Sequence, residues 1–320
     1  MNSESPVHAL IGRIRDYVNE PRKQHQLLQD RSQWNQLCTA MDVIEDTELA
    51  VSAYVDDSLG TDHGARYLAT YGLLQAIFQQ QDAINHLAEA LGIPDQSQKH
   101  PALKIIRELR NDSVGHPTKR AGGKGRGPSF HAISRISLNH ARFQMLSYDG
   151  NRHWMRDVNL PDVIAIQRRC ATGILTFVAD SLQEEQTVHK DAFKSEKLAA
   201  IFPSTLSYYF EKIYAGANNP SEESLASGCL DIVSKVLDDT REALARRDIS
   251  AQSHDAIGLV YERIEHALSR LHEYFENAKV GLSGAVDATD AYIYTSFLQD
   301  QVEELRSMVT EIDEDYASQP

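Results

Sequence analysis

Apolar residues recur at three- and four-residue intervals through most of the chain, the spacing of helix faces turned toward a core. The pattern predicts helices over residues 6–19 and 22–58, with Trp34, Leu37, Met41, Ile44 and Leu49 facing inward. It predicts another over 64–92, where Leu73, Ile77, Ile84, Leu87 and Leu91 form a stripe that Gln80, Gln81 and Asp82 interrupt. Polar residues set into such a stripe leave two readings open: an edge position in solvent, or a place inside the bundle where Gln81 or Asp82 holds Arg110 in position across it. Leu103, Ile106 and Val114 carry the spacing through 99–114, and a further long helix is predicted over 161–190. Between these two, Phe130–Ile136 alternates as a strand does. Residues 142–148 and 152–158 pair with it around Asp149-Gly150-Asn151, making a small β-insertion at about 129–160.

From about residue 195 the character changes. Phe202-Pro203 breaks a helical run, Tyr208, Tyr209, Phe210 and Tyr214 cluster, and Asn218-Asn219-Pro220 followed by Ser221-Glu222-Glu223 marks a turn and a helix start. Three long helices are predicted beyond, at about 221–247, 251–279 and 286–315. The middle one is lined by Ile257, Val260, Ile264, Leu268, Leu271 and Phe275; Tyr292, Tyr294 and Phe297 of the last read as packing residues. The expected fold is therefore all-α in two domains, 1–190 with its β-insertion and 191–320. A chain of 320 residues can bury a substantial core without disulfides. Cys38, Cys170 and Cys229 form neither a disulfide framework nor a CxxC metal pair, which points to a reducing compartment. With no basic-then-apolar leader at Met1–Pro6 and no apolar run of membrane length, the expected location is cytoplasmic, away from membranes.

Charge refines this picture. The net charge of −14 argues against indiscriminate nucleic-acid binding, yet residues 221–320 hold 21 acidic and 8 basic side chains, leaving 25 and 24 for the rest. The N-terminal part is thus near neutral, and within 115–135 Lys119, Arg120, Lys124, Arg126 and Arg135 occur with no acidic residue. Lys119, Arg120, Lys124 and Arg126 are candidate phosphate contacts, although the glycine-rich run Ala121–Gly127 reads equally as a plain solvated loop. It lacks the Gly-Lys-Ser/Thr of a Walker A motif, so no NTPase is implied. His131, His140 and His153 match no metal-site spacing and read as surface residues. The acidic C-terminal domain reads as a restraint on a phosphate-binding site or a dock for a regulatory protein.

The most informative segment is Arg110-Asn111-Asp112-Ser113-Val114-Gly115-His116-Pro117. Arg110 falls inside an apolar row, so its guanidinium is expected against a packed surface. Gly115 can take the left-handed conformation that closes a helix, and Pro117 disfavours helical geometry at His116, so the imidazole is expected off the helix, folded back beside Arg110. An imidazole can take a proton from a ribose 2′-OH or give one to a leaving 5′-oxygen, while a guanidinium stabilises charge on the phosphorane-like transition state. That is enough for RNA transesterification with no metal or other cofactor.

Arg110-Asn111 followed by His116 resembles the signature of the HEPN superfamily, in which an arginine, often with a polar residue after it, stands a few residues before a histidine. The resemblance covers about residues 40–190. It implies an up-and-down helical bundle with the motif at one helix end, and a metal-independent endoribonuclease of toxin–antitoxin or antiviral systems. It assigns phosphate binding to Arg110, acid/base chemistry to His116 and the variable polar position to Asn111. It further implies a homodimer that pairs two motifs, with RNA as substrate and an antitoxin or other regulatory protein as partner. Some members have lost activity, so a silent interaction module that docks a partner protein is the alternative.

Overall fold

The computed structural model describes residues 5–57, 62–121, 127–150, 152–250, 254–279 and 286–318. The chain is mostly helical: α1 (Pro6–Val18), α2 (Pro21–Leu28), α3 (Arg31–Val55), α4 (His63–Ala90) and α5 (Pro101–Arg110) precede three strands, β1 (Ser129–Ile133), β2 (Arg142–Asp149) and β3 (Arg152–Asn159). After them come α6 (Leu160–Phe193), α7 (Leu206–Asn218), α8 (Glu223–Ala245), α9 (Asp255–Lys279) and α10 (Ala288–Ala317). Among the described residues no helix is long and apolar enough to cross a membrane.

Two compact units result. One comprises the chain up to Val18 together with Leu27–Gln183, the other Asn19–Gln26 and everything from Glu184 onward. The division falls inside α6, ahead of the 190/191 boundary read from the sequence, and the segment around α2 belongs with the C-terminal unit. The single helix expected over 22–58 is two, because Asp30 stops the first and caps the second, its carboxylate accepting from the Ser32 and Gln33 backbone N–H groups.

In the first unit, Ile11, Leu37, Ile44, Ile84, Leu87, Ile174 and Val178 join α1, α3, α4 and α6 in one apolar cluster. A second cluster lies beneath the sheet and holds Tyr54, Leu74, Ile77, Ile106, Phe143, Met145 and Leu160. The sheet is antiparallel in the order β1-β2-β3, with Phe130 opposite Tyr148 and Met145 opposite Arg156. Asp149 accepts from the Arg152 backbone N–H at 2.9 Å and closes the hairpin where the turn was predicted. Alternation buries Phe143, Met145 and Ser147 and leaves Phe130, Tyr148 and Met155 on the exposed outer face. Leu49, expected in the core, is exposed, and its neighbour Glu48 occupies the interior at 0% exposure. Gln80 and Gln81 are likewise interior, which decides the stripe question against a solvent edge for both.

The second unit packs α7 to α10 around Phe210, Leu230, Val233, Ile257, Ile264, Leu271, Leu298 and Leu305. Here α7 is an additional helix in the stretch read as a boundary. A capping box of Asp287 and Asp290 starts α10. Tyr294 packs on the core as expected, whereas Tyr292 and Phe297 are exposed.

Candidate active site

Pro101 opens α5, where its missing N–H costs nothing, and the helix ends at Arg110 by widening into a π turn over Asn111–Gly115. The His116 backbone N–H bonds the Asn111 carbonyl at 2.8 Å, five residues back. Gly115 does not adopt the left-handed backbone expected of it; among the described glycines only Gly92 does. Its requirement is instead one of close approach: a Cβ on Gly115 would lie 2.7 Å from Arg110 Nη1. The Arg110 guanidinium thus folds back over its own π turn.

Three groups fix that guanidinium. Gln75 Oε1, on α4, accepts from Nε at 3.0 Å and from Nη2 at 2.7 Å, and Asn111 Oδ1 accepts from Nη1 at 3.1 Å. The Phe78 ring lies below, 4.2 Å from the guanidinium carbon. All these anchors are neutral, and among the described residues no carboxylate pairs with Arg110. Its neighbours differ: Arg107, on the same Phe78 ring at 4.2 Å, is bound to Asp82 at 2.6 Å. Arg120 is bound to Glu108 at 2.5 Å and to Asp112.

Two sequence-based assignments are corrected by this geometry. Asp82 holds Arg107 rather than Arg110, and Gln81 donates to Gln167 at 2.8 Å. The cause is the antiparallel packing of α4 on α5, which brings residue 82 to 107 and residues 75 and 78 to 110. Gln75 and Phe78 are the residues that sequence reasoning missed; the available signal was their three-residue spacing, matching that of Arg107 and Arg110. Arg120, a candidate phosphate contact, is also engaged through its backbone, which pairs with Ser129 in both directions at 2.8 and 3.0 Å. It braces the motif turn to the sheet. Lys119 is exposed and pairs with no described residue, and Lys124 and Arg126 lie outside the described residues.

His116 is exposed, and its imidazole makes no hydrogen bond or ion pair with any described residue, Arg110 included. The structure therefore gathers Arg110 and Asn111 but, among the described residues, leaves His116 without a partner. His131, read as a surface residue, is enclosed. Its side chain is 5% exposed, with Nε2 on Ser129 Oγ and Nδ1 on Ser147 Oγ, both at 2.9 Å. Burial lowers its pKa below the usual imidazole value, opposed by Asp112, whose carboxylate is 3.5 Å from Nε2, and reinforced by Arg120 and Arg156. His140 is half-buried, stacked on Tyr54 at 4.8 Å and 3.1 Å from Asp57, and His153 is exposed.

The arrangement can do one thing without rearranging: a cation already oriented and desolvated on one face can receive a phosphate through donors that Gln75 and Asn111 do not use. No family model, no curated protein and no solved structure matches the chain.

Proposed function

We propose that the first unit is a HEPN-like ribonuclease that cleaves RNA by transesterification without a metal. One observation carries this reading: Arg110 is held by neutral oxygens and an aromatic face, so its charge is fixed in place but not spent. A carboxylate about 4 Å away would hold it with about 4 kcal/mol at an effective dielectric of 20, which a phosphate would have to displace. Arg107 and Arg120 bear that burden and Arg110 does not.

In the proposed reaction His116 takes the proton of a ribose 2′-OH. The freed oxygen attacks the adjacent phosphorus, Arg110 stabilises the charge that gathers on the phosphoryl oxygens, and the P–O5′ bond breaks. The His116 imidazolium gives the proton back to the leaving 5′-oxygen, so none is gained or lost, and the products are a 2′,3′-cyclic phosphate and a 5′-hydroxyl. Because His116 pairs with no described residue, a second copy that brings its own motif end against the first completes the site, so the protein acts as a two-fold dimer. Toxin-like or antiviral action, with the acidic second unit as the regulated part, is the accompanying biological reading.

Purified protein incubated with RNA in excess EDTA tests this. Cleavage with cyclic phosphate ends is the expected result, DNA staying intact, and His116→Ala or Arg110→Ala should remove it while far-UV circular dichroism is kept. Wild-type cleavage by a folded His116→Ala protein would overturn the assignment, and light scattering that showed an active monomer would overturn the dimer. A second reading, a silent module that docks a protein, is favoured by the exposed outer sheet face of Phe130, Tyr148 and Met155. The same assay separates the two.

A further inference from the structure

The two edges of the sheet are finished differently. Along β1, the His131 N–H donates to the Pro117 carbonyl at 2.7 Å, and Arg120 exchanges both backbone bonds with Ser129. Along β3, no described residue pairs with the outer backbone. The Leu160 N–H donates to the Ala141 carbonyl at 2.9 Å, which continues the β2–β3 ladder and shows that the even-numbered residues of β3 turn their backbone groups toward β2. Those of His153, Met155 and Asp157 therefore point away from the sheet. The strand has no proline, lysine or bulge to guard this edge, and Trp154 and Met155, on its two faces, are 44% and 65% exposed.

The side chains along this edge are unmet as well. His153, Arg156 and Asp157 make no hydrogen bond or ion pair with any described residue. They match one another when the strand is laid antiparallel on a copy of itself. About a two-fold axis through Met155, perpendicular to the sheet, His153 stands opposite Asp157, Trp154 opposite Arg156, and Met155 opposite its own copy. The imidazole and carboxylate meet on the outer face and the guanidinium and indole on the other, contacts that stabilise paired strands. His153, Met155 and Asp157 are also the residues whose backbone groups point outward, so this register closes about six hydrogen bonds. Moving the axis one residue either way sets Arg152 opposite Arg156, or Arg156 opposite itself. Charge thus selects one register.

We propose that β3 pairs edge to edge with β3 of a second copy of this chain, in this register, so that two sheets join into one. The occupant is a second copy rather than another protein because the edge is complementary to itself. The motif turn lies against β1, at the opposite edge, where the Asp112 carboxylate is 3.5 Å from His131 Nε2. The pairing is therefore separate from any contact between motif ends and does not rest on the ribonuclease reading.

Oxidative cross-linking of the full-length protein tests it, because a link through residue 155 reports on this edge alone. Met155→Cys sets two thiols on the axis with Cα atoms about 5.5 Å apart, within disulfide reach. It should give a covalent dimer on non-reducing gels about tenfold faster than Trp154→Cys, whose copies are offset along the strands. The native Cys170 and Cys229 are buried and Cys38 is half-buried, so the wild-type protein serves as the blank. Added to Met155→Cys, His153→Glu sets a carboxylate opposite Asp157 and should slow the cross-link about tenfold. In a mixture with the Met155→Cys protein that carries Asp157→Arg, the mixed dimer, told apart by mass, should recover the rate, since a carboxylate then faces a guanidinium. All the changed side chains are exposed, so the fold bears the substitutions. No covalent dimer from Met155→Cys at micromolar concentration, Trp154→Cys linking as fast, or a mixed dimer that forms no faster than the His153→Glu one would each overturn the proposal.

Discussion

Each unit lays an arginine on an aromatic ring, and the two are finished in opposite ways. In the second unit, Arg247 is 1% exposed, with its guanidinium 4.7 Å from the Phe193 ring. It donates to the Ala243 carbonyl at 2.9 Å and the Glu196 carbonyl at 2.6 Å, and burial lowers its pKa. In the first unit, Arg110 sits on Phe78 half-exposed, anchored by side-chain amides with donors to spare. The contrast extends to other polar groups. Buried Thr240 and Thr295 donate to carbonyls of their own helices, and Asp313 accepts from the Leu198 and Ala199 N–H groups. In the first unit the buried amides of Gln80, Gln167 and Gln81 bond one another across helices, and Gln81 Oε1 is left without a partner. Arg247 Nε is buried without a partner as well, so what separates these groups is what they bond, backbone in the second unit and other side chains in the first.

The sharpest way to break this contrast is to remove each arginine. Arg110→Ala should lower cleavage by at least about 100-fold, as loss of a transition-state donor does, with little change in melting temperature. Arg247→Ala should do the reverse. Two carbonyls, the Ala243 one buried and the Glu196 one partly so, lose their donor and a cavity opens, for about 3 kcal/mol of stability, while cleavage per folded molecule stays as it was. Denaturant unfolding and RNA cleavage measured on both variants decide it, and equal activity losses would dissolve the distinction.

Next in size is Glu48, wholly buried, which accepts from Arg168, Ser5 and Gln80 at the head of the Gln80–Gln167–Gln81 series. Glu48→Leu leaves Arg168, Gln80 and Ser5 without their acceptor; because the Arg168 side chain is 33% exposed and can turn to water, the cost should be about 2 kcal/mol rather than the larger value of a sealed ion pair. A loss below about 0.5 kcal/mol in urea unfolding would show that these donors find other partners when Glu48 is gone.

Much of this was legible in the sequence, and what was not shares a cause. The helices, the hairpin turn at Asp149 and the motif at the end of α5 are local facts, set by residue spacing, a turn sequence and a Gly-His-Pro stop. Leu49 and Glu48 exchanged places because Arg168, far along the chain, neutralises Glu48 from α6, and no local pattern announces such a partner. Gln75 stayed hidden for the same reason: periodicity gives the face of α4 but not its register against α5. The Arg110 fold-back over Gly115 was missed because the glycine serves a contact, not a left-handed turn.

That contact supplies a gentler test. Gly115→Ala places a methyl 2.7 Å from Arg110 Nη1, and because the obstructing atom is the tip of a flexible side chain, the guanidinium should move rather than the backbone. Stability should change by less than about 1 kcal/mol. Cleavage should fall about tenfold through misplacement of a group that must meet the phosphate in register. Gly115→Ser should behave alike, and unchanged rates in both would mean that the position of Arg110 is not what limits the reaction.

The smallest effect expected is a dependence of the sheet on pH. His131 is enclosed between Ser129 and Ser147, with Asp112, Arg120 and Arg156 around it, and its folded pKa lies below the usual value of about 6.5 because burial disfavours the cation. Above that value both folded and unfolded chains carry it neutral and nothing changes. As pH falls through 6.5 the unfolded chain takes up the proton first, so the folded state loses stability, by no more than about 1.4 kcal/mol per pH unit, until the folded pKa is passed. His189 of the second unit is lowered by burial too and gives a slope of the same sign, so global melting would mix the two. Amide exchange in β1 and β2, corrected for intrinsic rates, isolates the first unit. Protection there should decline between pH 7 and 5.5 in the wild type and stay level in His131→Gln; a decline of equal size in both would place the titration on another group and leave His131 a plain structural link between the sheet and the turn that carries Arg110.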